Sequence, residues 1–296
     1  MASLTLPSFA KINWTLDVVG RREDGYHELR TIYQTIGLAD QVTVELTGEP
    51  GVEVATDGAG VPDGPTNIAH RAATAYFEAA GLANAAGARI FIRKEIPAGG
   101  GLGGGSSNAA TTLVALERLA GRRLSDADRF RVARRLGADV PLFFVGGTVL
   151  GVGRGDEVYA LEDAPPAHLV IANPGVVVET AGVFRRFGAE LTAREPAAIM
   201  LSFLSALRLS TSPTVVGNDL ESAVVKDHPG VGAARAALLG AGAAKAWMTG
   251  SGASMVGIFE SAGAALRAVD DLADEGLWAR AVETLDRTSY RAVLGL

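Results

Sequence analysis

The sequence predicts an α+β protein in two domains, on three observations. Its 296 residues exceed what one hydrophobic core usually serves. Strand-like and helix-like stretches are mixed in the first half, whereas the second half reads strand, helices, two strands, helix, strand. Between them LEDAPPA, from Leu161, carries paired prolines that suit neither helix nor ladder, which divides the chain into 1–163 and 164–296.

Composition narrows the function classes. Hydrophobic residues make up 48% of the chain and mean hydropathy is +0.22, so there is apolar surface for real cores and no case for disorder. A net charge of −6 and pI near 5.3 oppose the broad basic surface that nucleic-acid binding needs. A small anionic ligand is still allowed, since charges beyond about 8 Å are screened at physiological salt. With no cysteine there are no disulfides, thiolate nucleophiles or sulfur-bound metals, in keeping with a reducing compartment. His27, His70, His168 and His228 lie far apart and form no HExxH spacing. No apolar run reaches the ~18 to 20 residues of a membrane helix, and MASLTLPSFAK lacks the basic segment and following hydrophobic run of a signal peptide. The expectation is a cytoplasmic protein with neither membrane nor nucleic-acid partner.

In order along the chain, SFAKINWTLDVVG sets Ala10, Ile12, Trp14 and Leu16 against Phe9, Lys11, Asn13 and Thr15, the alternation of a half-buried strand. GRREDGYHE reads as a polar turn and QVTVEL as a second strand; a loop rich in Gly, Pro and Asp then runs to Thr66. NIAHRAATAYFEAA predicts a helix stopped by Gly81, and RIFIRKEIP a strand entering a run of glycines. Ser106 or Ser107 can cap the helix after that run, which carries Ala109, Leu113, Leu116 and Ala120 on one side and stops at Gly121. Ser125 and Asp128 resemble a capping box opening a helix that ends at Gly137. The apolar part of ADVPLFFVGG is strand-like. Beyond the linker come a strand at LVIAN, helices through about residue 240, strands at AKAWM and SMVGIF, a helix from about Ala262 and a short strand near WARAVETL. That is the split β-α-β order of ferredoxin-like domains.

Six of the seven positions from Gly99 to Gly105 are glycine. Holding each in one conformation costs roughly 0.5 to 1 kcal/mol relative to alanine, so something must offset the sum. A flexible linker would not be bounded by a strand and a capped amphipathic helix. Strand, glycine loop and helix N-terminus together make the cradle in which backbone N–H groups and the helix dipole hold an anion, usually phosphate. Ser106, Ser107 and Asn108 add polar donors, and Ser107 is a candidate ligand for a phosphate-bridging magnesium ion. A turn built for close packing is the competing reading. A Walker A loop is excluded, because no lysine follows Gly105. Gly99, Gly101 and Gly104 satisfy GxGxxG, but Asp126 falls at a helix start rather than at the end of a second strand, which disfavours a dinucleotide site.

The run Pro97-Ala98-Gly99-Gly100-Gly101-Leu102-Gly103-Gly104-Gly105-Ser106-Ser107-Asn108-Ala109 resembles the second motif of the galactokinase, homoserine kinase, mevalonate kinase and phosphomevalonate kinase (GHMP) superfamily. Triple glycines on both sides of a leucine are closest to its branch acting on 4-diphosphocytidyl-2-C-methyl-D-erythritol in non-mevalonate isoprenoid synthesis. Ala10-Lys11-Ile12-Asn13, Arg22-Glu23-Asp24-Gly25-Tyr26-His27 and Leu136-Gly137-Ala138-Asp139-Val140-Pro141 fit as well, and Thr249-Gly250-Ser251-Gly252-Ala253-Ser254 is similar to the superfamily's third motif. Phe9 and Trp14 depart from the usual proline and leucine. The resemblance implies a two-domain GHMP kinase fold, with an N-terminal domain like the second domain of ribosomal protein S5 and a ferredoxin-like C-terminal domain. It also implies ATP-dependent phosphorylation of the acceptor's 2-hydroxyl, with magnesium.

From the residues alone, Asp139 is either a functional side chain in a loop held by rigid elements or a cap on the turn before Pro141; Lys11 could equally blunt a sheet edge. The resemblance makes Asp139 the base and Lys11 its cationic partner, and gives residues Pro97 to Asn108 and Asn67 to the nucleotide. Asn67 is otherwise only a helix cap, and Thr249 to Ser254 a hairpin turn. By the same route Asn13, Tyr26, His27, Tyr33, Thr180 and Phe184 fall to the acceptor: His27 on the cytosine edge, Tyr26 and Phe184 on its faces. Otherwise Tyr26 and His27 are a solvent-facing pair, and Tyr33 and Thr180 core packing. Another kinase of the superfamily, of homoserine or mevalonate type, should lack Asp-Gly-Tyr-His and the paired aromatics. A non-catalytic nucleotide-binding regulator would have no need for both Lys11 and Asp139.

Overall fold

The computed structural model describes residues 2–190 and 216–296. Strands β1 (Ser3–Arg21) and β2 (His27–Thr47) form one long antiparallel hairpin closed by the turn at Gly25. β2 is long enough to serve two partners: Gln41 to Thr47 pair with β4 (Gly87–Arg93), and Leu29 to Gln34 with β5 (Thr148–Gly153). β3 (Gly51–Thr56) joins β4 in parallel, with α1 (Ile68–Ala79) crossing between them, and β6 (Glu157–Ala160) pairs with β5. One side of this sheet is covered by α1, α2 (Gly104–Leu119), α3 (Asp126–Leu136) and the single turn α4 (Leu142–Val145), which bury Ala73, Tyr76, Leu113, Leu116 and Phe143 against Val42, Val44, Ile90 and Ile92.

The second sheet has the order β11 (Trp278–Glu283), β7 (His168–Asn173), β10 (Met255–Phe259), β9 (Lys245–Met248), all antiparallel. With α5 (Thr180–Glu190), α6 (Glu221–Asp227), α7 (Pro229–Gly240) and α8 (Ala262–Asp274), that is the ferredoxin-like order expected. The expected helical stretch also runs through 191–215, outside the described residues. A two-residue strand, β8 (Gly217–Asn218), pairs in parallel with β1 at Thr15 and Leu16.

The two sheets meet in a shared core. Ala10, Ile12, Trp14, Ile32 and Ile36 pack on Leu169, Ile171, Trp247 and Val256, and the Trp14 and Trp247 rings stack with centroids 5.6 Å apart. The expected alternation on β1 is therefore present, but its polar side is not solvated. Lys11, Asn13 and Thr15 are buried too, because loops from both domains close over them. The chain also recrosses the expected boundary at its end: the last helix, α9 (Arg287–Leu294), buries Tyr290 and Leu294 in the first core.

Local expectations changed where a neighbour supplied what sequence lacked. The apolar part of ADVPLFFVGG is α4, not strand: Pro141 adopts helical angles, and Gly146, at φ 70°, ends the turn. β3 emerges from the expected loop because β4 offers it a ladder. QVTVEL is only the end of β2. Gly103, at φ 70°, caps α2 in place of Ser106 or Ser107, whereas Ser125 caps α3 as expected, accepting from Asp128 N at 3.1 Å. No helix among the described residues is long and apolar enough to cross a membrane.

Arg129 on α3 and Glu117 on α2 form a buried ion pair at 2.7 Å, and Glu117 also accepts from Leu124 N at 3.0 Å. Arg129→Ala strands that carboxylate. The expected loss is about 3 to 5 kcal/mol of unfolding free energy, measured by urea titration against wild type.

Candidate active site

The glycine loop is set from below by Asp40, a fully buried residue of β2. Its Oδ1 accepts from the backbone N–H of Glu95 and Ile96 at 2.8 and 2.9 Å, which fixes how the chain leaves β4. Its Oδ2 pairs with the Lys94 ammonium and accepts from Asn108 Nδ2 at 2.9 Å. From above, Lys11 N donates to Leu102 O at 3.0 Å and Ser254 N to Gly100 O at 3.1 Å. The third-motif stretch thus lies against the second.

Two reasons for glycine coexist in the loop. At Gly101, φ is +75° and a Cβ would fall 2.3 Å from Thr249 O, so close packing between segments decides. At Gly105 the nearest atom to a Cβ, on Ile68, is 3.6 Å away, and the position lines a cavity of about 600 Å³. There the packing reading has no force, and the open main chain faces whatever fills the cavity.

That cavity holds the residues expected to do chemistry. Pro97 to Gly105, Ser106, Asn108 and Asn67 line it together with Lys11, Asn13, Tyr33, Asp139 and Thr180. Asp139 stands in the turn between α3 and α4, partly open to solvent. Its Oδ2 lies 3.4 Å from Lys11 Nζ, and its Oδ1 accepts from the Tyr33 hydroxyl at 3.1 Å. Lys11 is held in turn by Asn13, whose Oδ1 accepts from Lys11 Nζ at 2.8 Å and from Gly250 N at 3.0 Å. Burial, and then the Asp139 charge, push the Tyr33 phenol well above its ordinary range, so it remains a donor. Tyr33, expected at the acceptor, therefore acts first on the carboxylate. Asn67 caps α1, accepting from Ala69 N at 2.9 Å.

A second cavity of about 920 Å³ adjoins the first. Leu29, Ala138, Arg154, Thr180 and Phe184 line both. Tyr26 enters it from the turn between β1 and β2, His27 from the first position of β2 and Phe184 from α5; the His27 and Phe184 rings are 5.2 Å apart. Tyr26 is 57% exposed. His27 Nε2 is buried with no hydrogen-bond partner among the described residues. Burial, and then the nearby Arg21 charge, lower the His27 pKa, favouring the neutral imidazole. The Thr180 and Ser251 hydroxyls are bonded at 2.8 Å.

Ser107 is misplaced for its expected role. It is fully buried and its hydroxyl accepts from Ser8 Oγ at 2.8 Å; Ser106, one residue earlier, lines the cavity instead. The helical turn sets consecutive side chains about 100° apart, a distinction the Ser-Ser pair hides in sequence. No group of three or more His, Cys, Asp or Glu residues is set to hold a metal among the described residues, and the one carboxylate lining the first cavity is Asp139. These donors fit magnesium carried in on phosphates, not a resident ion. Sequence reasoning missed Asp40, Lys94 and Arg154. Lys94 could have been suspected, since it directly precedes the loop; Asp40 had no local signal.

The pattern described as the GHMP kinases N terminal domain matches residues 67–147, the stretch with the glycine loop and Asp139; that of the GHMP kinases C terminal matches residues 200–276. A 4-diphosphocytidyl-2-C-methyl-D-erythritol kinase of Geobacter sulfurreducens is 40% identical, over 96% of this chain and all of that one. The chain belongs to the GHMP kinase family. A second relative of the same name, from Citrifermentans bemidjiense, is 41% identical over 96% of this chain and all of its own length. Among solved structures, a crystal structure of 4-(cytidine 5'-diphospho)-2C-methyl-D-erythritol kinase superposes with TM-score 0.77 at 36% identity, covering 94% of this chain and 99% of that one. A homoserine kinase from Cytophaga hutchinsonii, at 19% identity and TM-score 0.68 over 98% and 96% of the two chains, shares the GHMP kinase fold.

The two reasons for glycine separate experimentally. Gly101→Ala forces a left-handed alanine, costing about 1 to 2 kcal/mol before the Thr249 contact is counted, so its urea midpoint falls. Gly105→Ala holds the wild-type midpoint, while nucleotide affinity in titration calorimetry drops.

Proposed function

We propose that this GHMP kinase transfers the terminal phosphoryl group of ATP to the 2-hydroxyl of 4-diphosphocytidyl-2-C-methyl-D-erythritol, a small cytoplasmic metabolite of the non-mevalonate isoprenoid route. One observation carries the reading. The Lys11 and Asp139 pair lies under the glycine loop in a cavity continuous with a second one that offers His27, Tyr26 and Phe184. A nucleotide in the first cavity and a flat, neutral base in the second bring a phosphorus and an alcohol together at Asp139. The curated relatives of that name, at about 40% identity, support the choice of acceptor.

The chemistry asks for positioning and charge neutralisation more than covalent help. Backbone N–H groups of residues 99–105 and the α2 N-terminus hold the phosphates. Asp139 Oδ takes the proton from the acceptor hydroxyl as its oxygen bonds to the terminal phosphorus and the bond from phosphorus to the ADP oxygen breaks. Lys11 stands 3.4 Å from that carboxylate, where its charge also reaches the phosphoryl oxygens in transit. Tyr33 and Asn13 keep base and cation in register. Magnesium bound to the nucleotide would neutralise phosphate charge, with Ser106 the hydroxyl at hand in the loop.

Neutral His27 offers its unpartnered Nε2 to the base edge. Phe184, and the open face of Tyr26, provide the stacking surface.

ADP release with a panel of acceptor alcohols tests the assignment: the cytidine-linked acceptor should turn over, and homoserine and mevalonate should not. Asp139→Asn should lower turnover by roughly 10² to 10⁴ with ATP binding retained; near-normal turnover removes Asp139 from its role. Because the His27 pKa is lowered, KM for the acceptor is expected to stay flat from neutrality upward and to rise in acid as the imidazole protonates. In His27→Ala that acid limb disappears and KM is raised throughout.

A further inference from the structure

The second cavity carries a feature that recognition of a neutral base does not use. Arg21, Arg134, Arg135, Arg154 and Arg185 line it, with no aspartate or glutamate among the described residues that do so, in a chain whose net charge is −6. Arg185 is tied to Glu179 at 3.6 Å, and Arg134 Nε donates to Asp156 O at 3.3 Å. A concave surface with one sign of charge concentrates counter-ions of the other.

The position of Arg154 singles it out. An acceptor with its base beside His27 and its hydroxyl at Asp139 must run its connecting chain past the residues common to both cavities. Among the described residues these are Leu29, Ala138, Arg154, Thr180 and Phe184, of which only Arg154 is charged. Its guanidinium is held in place without being used up: Nη2 donates to Asp156 Oδ2 at 2.8 Å, and the carbon lies 5.0 Å from the centre of the Tyr26 ring. A guanidinium has five N–H donors in a planar fork, so donors are left for a phosphate oxygen.

We propose that Arg154 is a specificity-determining residue that binds the diphosphate linking base to alcohol, so that the second cavity selects a nucleoside diphosphate over the nucleoside. The inference rests on the acceptor reading above and adds to it which part of the acceptor is read, and by what.

The test is titration calorimetry of CDP and of cytidine, with ADP saturating the first cavity, on wild type, Arg154→Gln and Arg154→Lys. Hydrogen bonds to charged groups are worth about 1.5 to 3 kcal/mol, so wild type should bind CDP roughly 10 to 100 times more tightly than cytidine. In Arg154→Gln that ratio should fall to about threefold or less, with cytidine and ADP affinities unchanged. Arg154→Lys should lie between, because lysine keeps the charge but not the fork. A wild-type ratio persisting in either variant with normal ADP binding overturns the proposal, as does wild type binding both ligands equally; in those cases the acceptor reading survives. If neither CDP nor cytidine binds wild type, both fall. Should Arg154→Gln lose ADP binding through misfolding, the lysine variant decides by the same ratio.

Discussion

Asn13 is the point at which three distant segments are bound to one another. Its carboxamide oxygen accepts from Lys11 and from Gly250 N, its amide nitrogen donates to Thr31 Oγ1 at 2.6 Å, and its own backbone N–H donates to Thr249 Oγ1 at 2.9 Å. Trp247 Nε1 closes on its carbonyl at 2.7 Å. Strand β1, strand β2 and the turn from β9 to β10 are therefore tied together at one buried side chain. A buried polar network of this kind tolerates few alternatives, since a group left unpaired costs more than a satisfied one contributes. The placement of Lys11, and through it the charge beside Asp139, follows from that arrangement.

The same junction explains why a loop so rich in glycine is ordered. Main chain of the first domain lies on main chain of the second, Gly101 against Thr249 and Gly250, where any side chain would intrude. Asp40 fixes the other end, using two backbone N–H groups and an ammonium to satisfy a carboxylate with no access to solvent. What is left uncovered is the side at Gly105, facing the cavity. Order on one side and exposure on the other are what an anion cradle requires, because donors held in place before binding need no reorganisation. α9 extends the frame: the Tyr290 hydroxyl and Arg291 hold the carbonyls of Phe143 and Phe144 at 2.8 and 2.9 Å, bracing the turn that follows Asp139.

Charge is distributed against the average of the chain. The protein is acidic overall, yet among the described residues the first cavity is lined by Lys11, Lys94 and Arg154 with Asp139 as its carboxylate, and the second by arginine without acid. Net charge therefore describes the outer surface and says little about either cavity. In a concave, partly desolvated space a few nearby cations outweigh many screened charges outside.

The local content of the sequence was enough for much of this. Capping at Ser125 and at Asn67 and the strand to glycine to helix order are effects of neighbours a few residues apart, and they survive in the fold; the alternation in SFAKINWTL keeps its apolar side in the core, while its polar side is buried as well. The β-α-β order of the second half likewise pointed to its sheet, although only β9 and β10 are joined by a short turn and β7 finds both its partners, β10 and β11, far along the chain. The family was legible in five separated motifs, each retaining its residues. Tertiary structure decided the rest. Whether ADVPLFFVGG is strand or helix, whether Ser106 or Ser107 faces the cavity, and that Asp40 rather than a loop residue steers the glycines all depend on contacts made dozens of residues away. The arginines of the second cavity come from β1, α3, α5 and the turn after β5. Each alone is one charged surface residue among many; only folding brings them around one space, since electrostatic fields add by distance in space and not by position along the chain.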